Sequence, residues 1–298
     1  MDAPRVTRRE ALRQAAFAGL FLPLLSAVPG LRADDAPPGP TPASRTGLEL
    51  GLVGYSLRSL SVDAGIEALH ALGVTHYSVF RSQVPILLST PDVCATMAKK
   101  YRDAGITLTG TGVVTLPADE AAHRRAFECG RAAGLSTMTA SYAAPPEAAT
   151  LALTERFVRE YDIRLAFHNH GPEDRIFPSP FDVWKAVQPY DARMGLCIDV
   201  GHAARAGADP VEAILTCHSR LYDVHLKDTT AGVGVKKDQP VLLGKGRLDL
   251  RGILAALMKV GYPYQAGLEY ELEGPDPLRG IAQSYGYLRG MADALAAA

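Results

Sequence analysis

The sequence has few of the residues that mark several common classes of protein. Its 298 residues include one Trp, one Asn and four Cys, and no two of the Cys form a CxxC pair. No run of Lys and Arg forms a basic stripe, which argues against binding to nucleic acid or to an anionic membrane surface. Beyond residue 33, no apolar stretch approaches the ~20 residues that cross a bilayer. We therefore expect a mature chain that binds neither nucleic acid nor a membrane.

The four cysteines do not suggest a metal or redox motif. Cys94, Cys129, Cys197 and Cys217 stand in apolar segments with helical or strand-like patterns. Free buried thiols are the expected state of such residues. Pairing in an oxidising compartment is left open by the sequence.

The N-terminal segment has the order of parts of an export signal. A twin-arginine pattern at Thr7–Leu12 precedes an apolar run from Ala15 to Val28, and Ala33 offers a small residue at the exit. This arrangement predicts a twin-arginine signal peptide over residues 1–33 and a periplasmic or extracellular protein. A basic, buried N-terminal helix is the alternative. Residues 34–46 are rich in Ala, Pro and Thr, which predicts a linker.

From residue 47 to 298 the chain alternates short apolar runs with longer amphipathic segments. About 250 residues is the usual size of one (β/α)8 barrel, and buried parallel strands read as apolar runs of this kind. Helix ends are marked by Gly73, Gly105, Gly134 and Gly261 just before the next apolar run. We therefore predict a single-domain α/β fold, a (β/α)8 TIM barrel. The predicted strands are Leu50–Tyr55, Thr75–Phe80, Ile106–Val114, Thr137–Ser141, Arg164–His168, Gly195–Val200, Leu221–Leu226 and Gln265–Tyr270.

Four consecutive strands of this predicted barrel end in residues that bind metals. His168, Asp199, His225 and Glu269 stand at the ends of the fifth to eighth strands. The strands of a barrel deliver their C-terminal ends to one rim, where barrel enzymes have their active sites. Two imidazoles and two carboxylates that converge there are costly to bury unless a cation compensates them. Mixed nitrogen and oxygen ligands predict one divalent ion, Mn²⁺, Zn²⁺ or Co²⁺.

These strand ends resemble a known family. The resemblance extends from about Leu50 to Ala292, and its specific parts are LAFHNHGPED (165–174), GLCIDVGH (195–202), YDVHLKD (222–228), GKGRLDL (244–250) and GLEYE (267–271). They are similar to the sugar phosphate isomerase/epimerase group, which has a xylose isomerase-like barrel and includes ketose 3-epimerases, hydroxypyruvate isomerases and inosose dehydratases. The resemblance implies Glu, Asp, His and Glu as metal ligands. Asp199, His225 and Glu269 match this set, whereas His168 stands where the epimerases have Glu.

The resemblance implies a small-molecule sugar substrate and chemistry through an enediolate. We expect Glu269, Glu271 and His202 to transfer protons or polarise the substrate. Substrate contacts are expected from the four residues Asn169, His170, Arg205 and Lys227, although a solvated role for the last two is an equal alternative.

The sequence is compatible with two outcomes of this chemistry. Return of the proton gives an isomerase or epimerase of a free sugar or keto-sugar, whereas loss of a β-substituent gives a lyase acting on a 3-keto sugar or glycoside. A sugar-binding barrel without catalysis is a further alternative, and a homo-oligomer is compatible with the sequence.

Overall fold

Apolar strands and amphipathic helices alternate along residues 47–274 and 276–298, which this computed structural model describes. The predicted signal peptide and linker lie outside the described residues. The strands are β1 (Glu49–Val53), β2 (His76–Val79), β3 (Thr107–Thr111), β4 (Val114–Leu116), β5 (Thr137–Tyr142), β6 (Arg164–His168), β7 (Met194–Asp199), β8 (Leu221–Leu226), β9 (Asp228–Thr229), β10 (Pro240–Val241) and β11 (Gln265–Leu268). The α-helices are α1 (Val62–Leu72), α2 (Pro91–Asp103), α3 (Glu120–Ala132), α4 (Ala148–Tyr161), α5 (Pro180–Val187), α6 (Val200–Arg205), α7 (Pro210–Cys217), α8 (Leu250–Lys259) and α9 (Pro277–Ala296).

Nine parallel strands form a nearly closed barrel. Their order is β3-β2-β1-β11-β8-β7-β6-β5-β4. The two edges of this sheet, β3 and β4, belong to one stretch of chain. Thr111 joins β3 to β5, because its hydroxyl donates to the Thr139 carbonyl (3.2 Å) and accepts from the Thr139 amide (3.1 Å). The predicted TIM barrel is confirmed. The predicted third strand, Ile106–Val114, is observed as β3, and a further short strand, β4, begins at its last residue.

The burial of the strands explains why their sequences are apolar on both faces. All six residues of β7 are buried, since one face of each strand fills the barrel and the other packs under the surrounding helices. The predicted helix ends are also confirmed; Gly73, for example, ends α1 in the left-handed conformation with φ 64°. The four cysteines are free and buried. No helix within the described ranges is both long and apolar enough to cross a membrane.

The C-terminal ends of β6, β7, β8 and β11 lie side by side on one rim. β6 pairs with β7, β7 with β8, and β8 with β11. Helix α6 begins directly after β7, because the Asp199 carboxylate accepts the His202 backbone N–H at 2.8 Å and caps the first turn. The fold thus leaves a strip of four adjacent strand ends, and the predicted ligands stand on it.

Candidate metal centre

The four predicted metal ligands meet at the rim of the barrel. One potential ligand atom from each of His168, Asp199, His225 and Glu269 lies within 4.8 Å of the others, and all four residues are buried. His168 Nε2 is 3.5 Å from Asp199 Oδ2, and His225 Nδ1 is 3.3 Å from Glu269 Oε2. The sequence placed these residues on four strand ends, and the pairing of those strands brings their side chains into one cluster.

Several atoms of this cluster lack hydrogen bonds. Within the described part of the chain, His168 Nε2, Asp199 Oδ2 and both ring nitrogens of His225 are buried without a hydrogen bond of acceptable geometry. Buried polar atoms are normally satisfied, and leaving one unpaired costs about 1–3 kcal/mol. A divalent ion bound by His168 Nε2, Asp199 Oδ2 and His225 Nδ1, which faces Glu269, would satisfy three of these atoms, while His225 Nε2 faces Asp223. This donor set therefore fits a metal site.

Lys227 is buried among three carboxylates of the site. Its ammonium lies 2.9 Å from Asp199 Oδ2, 2.8 Å from Glu269 Oε2 and 2.8 Å from Glu271 Oε2. The residue is only 2% exposed, so the solvated alternative for Lys227 is wrong. Lys227 follows β8 directly, two positions after His225. The carboxylates therefore already have one internal positive charge beside them.

Three carboxylates and one ammonium leave this group of charges unbalanced. Burial by itself would raise the pKa of Asp199, but the ammonium of Lys227, 2.9 Å from Oδ2, holds it well below its usual range. Burial would likewise raise the pKa of Glu269, yet Lys227 and His225 lower it. With Glu271, the group carries a net charge of about −2 when all three carboxylates are ionised, which one divalent cation would neutralise.

The two imidazoles of the cluster differ in their electrostatic surroundings. Burial lowers the pKa of His168, which favours the neutral form that binds metals. Burial would also lower the pKa of His225, but the carboxylates of Glu269 and Asp223, each 3.3 Å from a ring nitrogen, raise it well above its usual value. A metal that binds His225 must therefore displace a proton from that ring.

Asp223 contacts His225 and was not predicted as a site residue from the sequence. Its Oδ2 lies 3.3 Å from His225 Nε2, the ring nitrogen that faces away from Glu269. Asp223 is itself held, because the Thr139 hydroxyl and the Val224 backbone N–H donate to its carboxylate. A carboxylate in this position orients a ligating histidine. The strict alternation of 223 and 225 along β8 was the signal that would have found it.

Two residues predicted to contact the substrate are occupied within the protein. Asn169 is fully buried; its amide donates to the Asp199 carbonyl at 3.1 Å and accepts from the Asp199 N–H at 3.0 Å. Arg205 is also fully buried and binds the carboxylate of Glu173 through two nitrogens, at 2.8 and 3.0 Å. The solvated alternative for Arg205 is therefore wrong. Asn169 joins the ends of β6 and β7, which positions Asp199.

The remaining predicted residues lie around the cluster and differ in exposure. His170 is exposed, and its ring centroid is 4.7 Å from that of buried His202. Burial lowers the pKa of His202 well below its usual value, so this imidazole is neutral. The Glu271 side chain is 23% exposed, against 8% for Glu269. His170 and Glu271 are thus the members of the predicted set that are open to a ligand.

A family model and two known proteins match parts of this chain. The model of a family described as xylose isomerase-like TIM barrel matches residues 66–291. The rhizopine catabolism protein MocC of Rhizobium meliloti is 30% identical over 167 residues, which cover 48% of this chain and 50% of that protein. A probable endonuclease 4 of Halorhodospira halophila is 34% identical over 111 residues, which cover 34% of this chain and 36% of that protein. The chain thus matches about half the length of the first relative and about a third of the second.

A solved structure of similar fold holds a metal. The crystal structure of the IolI protein with a bound zinc atom has a TM-score of 0.64 to this chain at 15% identity, over 84% of this chain and 98% of that one. At this level of identity the likeness shows a shared fold.

Proposed function

The chain belongs to the xylose isomerase-like TIM barrel family, and from this premise we propose that it is a metal-dependent isomerase or epimerase of a free sugar or keto-sugar. One divalent ion, Mn²⁺, Zn²⁺ or Co²⁺, would be held by the four clustered residues His168, Asp199, His225 and Glu269. The observation that carries the proposal is the convergence of these four buried side chains, three of which have polar atoms without hydrogen bonds.

The ion and the carboxylates of the site would have different roles in the reaction. When bound, the ion supplies Lewis-acid stabilisation of negative charge on a substrate oxygen. Glu271 is the open carboxylate of the site, and Lys227 holds it in place at 2.8 Å. We assign Glu271 as the group that takes a proton from the carbon beside the substrate carbonyl. Glu269 contacts Lys227 at the same distance, but it is less exposed and also lies 3.3 Å from His225, so it is less free to move a proton.

One exposed imidazole of the site is suited to a contact with a hydroxyl group. His170 is exposed at the rim and can hydrogen-bond a substrate hydroxyl. His202 is close to His170 but is buried, and its ring nitrogens face Arg205 and Lys227, so we assign it to the positioning of these side chains. The roles rest on position and exposure, because a proton-transfer group must come within hydrogen-bond reach of the reacting atom.

The charges of the site favour a substrate without phosphate. Arg205 and Lys227 are both buried and paired with carboxylates, so neither offers a free positive charge to a phosphate group. The proposed export by the twin-arginine route agrees with this, since sugar phosphates are intermediates of the cytoplasm. We therefore extend the proposal to a periplasmic or extracellular enzyme that acts on unphosphorylated sugars.

Elimination of a β-substituent from a 3-keto sugar or glycoside is the second candidate, and His168 favours it. An epimerase needs proton-transfer groups on both faces of its substrate. His168 stands where the resemblance implies a second Glu, but it is 3% exposed and faces Asp199. Elimination needs only one base, such as Glu271, and an acid for the leaving group, such as His170.

Incubation of keto-sugars with the metal-loaded protein in D₂O distinguishes these candidates. NMR should find deuterium in an isomeric product, and Glu271→Gln, which keeps all four ligands, should lose this incorporation. A new enone absorbance with release of water or an aglycone would instead establish elimination and reject the isomerase. Sugar binding without turnover, with all three ions, would leave a non-catalytic binding barrel.

A further inference from the structure

A second group of potential metal ligands lies beside the first. His202 follows β7, Asp238 lies between β9 and β10, and Glu271 follows β11. One ligand atom from each lies within 4.8 Å of the others. We refer to these three residues as the second cluster. By spacing and chemistry alone, it could take a second divalent ion.

Positively charged side chains of the protein already contact every member of the second cluster. Arg205 Nη2 lies 2.7 Å from His202 Nδ1, and its Nε lies 3.5 Å from Asp238 Oδ1. Lys227 Nζ lies 2.8 Å from Glu271 Oε2 and 3.5 Å from His202 Nε2. Both ring nitrogens of His202 thus face a cation and both carboxylates lie beside one, whereas the imidazoles of the first ligand set, His168 and His225, face carboxylates. An incoming ion would meet a fixed positive charge beside each of the three residues; Asp238 Oδ2 is the one of their oxygens that is buried without a hydrogen bond.

Arg205 is held in the second cluster by further contacts. Besides the two bonds to Glu173, its Nη1 donates to the backbone carbonyls of Val235 and Lys236 at 2.8 and 2.7 Å. Gly171 leaves room for it, because a Cβ at this position would lie 2.6 Å from Arg205 Nη2. The guanidinium is therefore fixed by the fold and is not free to leave for an ion.

Lys227 has a comparable niche. A Cβ on Gly201 would lie 2.6 Å from Lys227 Cγ and 2.8 Å from Cδ, so the lysine side chain fits only because residue 201 is glycine. The niche guides the ammonium to the point between Asp199, Glu269 and Glu271. At this point it contacts both the first ligand set and the second cluster.

We propose that Lys227 and Arg205 act as permanent cations of the second cluster, so that the centre takes one divalent ion and no second one. This inference rests on the proposed metal site. It deepens that proposal, because a single ion between three carboxylates and one ammonium gives a neutral site suited to an uncharged sugar. Lys227 is the determinant that can be tested, since its loss frees Glu271 Oε2 and His202 Nε2, and Asp238 Oδ2 has no hydrogen bond to lose. Arg205 stays on the other side of the cluster, at His202 Nδ1 and Asp238 Oδ1.

The number of bound ions tests the inference. The full chain is equilibrated with Mn²⁺, Zn²⁺ or Co²⁺, freed of excess ion by gel filtration, and analysed for metal by mass spectrometry. The wild type should carry one ion per chain and Lys227→Met should carry two. Lys227→Arg, which keeps the charge, should stay at one. Adding Glu271→Gln to Lys227→Met should return the count to one, because the second cluster has then lost a ligand.

Gly201→Ala provides an independent variant if Lys227→Met does not fold. Its Cβ should displace the lysine side chain and raise the count above one while the lysine itself remains. Two or more ions on the wild type, or a count of one in both Lys227→Met and Gly201→Ala, would overturn the inference and leave the proposed metal centre intact. A wild type that binds no ion under any condition would overturn the metal centre itself, and this inference with it.

Discussion

Asp199 allows metal binding to be separated from folding, because its two carboxylate oxygens have different contacts. Oδ1 caps helix α6 at the His202 N–H, whereas Oδ2 faces Lys227 and His168. Asp199→Asn keeps a side-chain oxygen for the cap and removes the negative charge from the proposed ion. We expect this variant to fold and to lose its response to metal.

The size of that response follows from binding linkage. A ligand at a hundred times its dissociation constant stabilises the folded state by about 2.7 kcal/mol. For a domain of this size, 1 kcal/mol shifts Tm by roughly 2–4 °C. The wild type should therefore gain roughly 5–10 °C on saturation with ion. Without ion, the three carboxylates around Lys227 leave an excess negative charge, so loss of one charge should change the Tm of the apoprotein little.

Differential scanning calorimetry with and without Mn²⁺, Zn²⁺ or Co²⁺ measures both quantities. Asp199→Asn should show less than about a quarter of the metal-induced rise in Tm expected of the wild type. Asp199→Ala is the matched control: it should lose the response and also about 1 kcal/mol of stability through the missing helix cap. An undiminished metal response in Asp199→Asn would refute the placement of the ion at Asp199.

Three further changes test other parts of the structure. His168→Ala should weaken ion binding, measured by titration calorimetry, by more than about tenfold; full affinity would remove His168 from the ligand set. Asp223→Asn should lower ion affinity by roughly 10- to 100-fold with an unchanged circular dichroism spectrum, because His225 loses its orienting partner; equal affinity would contradict that role. Burial lowers the pKa of His123, which contacts Thr154 at 3.1 Å. The unfolded chain therefore binds more protons below about pH 6.5, so the free energy of unfolding of the wild type should fall more steeply with decreasing pH than that of His123→Gln. Denaturant titrations at several pH values measure this free energy, and an equal pH dependence in the two proteins would contradict the prediction.

The strand ends were predictable because the patterns that mark them are local. Apolar runs ending in His168, Asp199, His225 and Glu269 needed no long-range contact to be recognised. The division of the third strand was not predictable in this way. Its residues read as one strand, whereas in the structure β3 ends at Thr111, which bonds Thr139 on β5, and β4 begins at Val114.

The partners of charged side chains were the least predictable feature. Lys227 and Arg205 could equally have been solvated on the sequence alone, and the structure buries both among carboxylates. Asp223 could have been inferred from alternation on β8, but its contact with Thr139 crosses 84 positions of the chain. Asn169 was expected to face a substrate, and its amide instead bonds the backbone of Asp199.

The sequence by itself determined the barrel, its family and the four residues at the strand ends, because these depend on short-range periodicity and on motifs that lie within single segments. Only the tertiary structure decided that the four side chains converge, that Lys227 lies between their carboxylates, and that Arg205 and Lys227 contact the second cluster. The reason is physical. The electrostatic environment of a buried charge depends on all groups within a few ångströms, and here those groups come from β6, β7, β8 and β11 and from the segments that follow them, which are far apart in the chain.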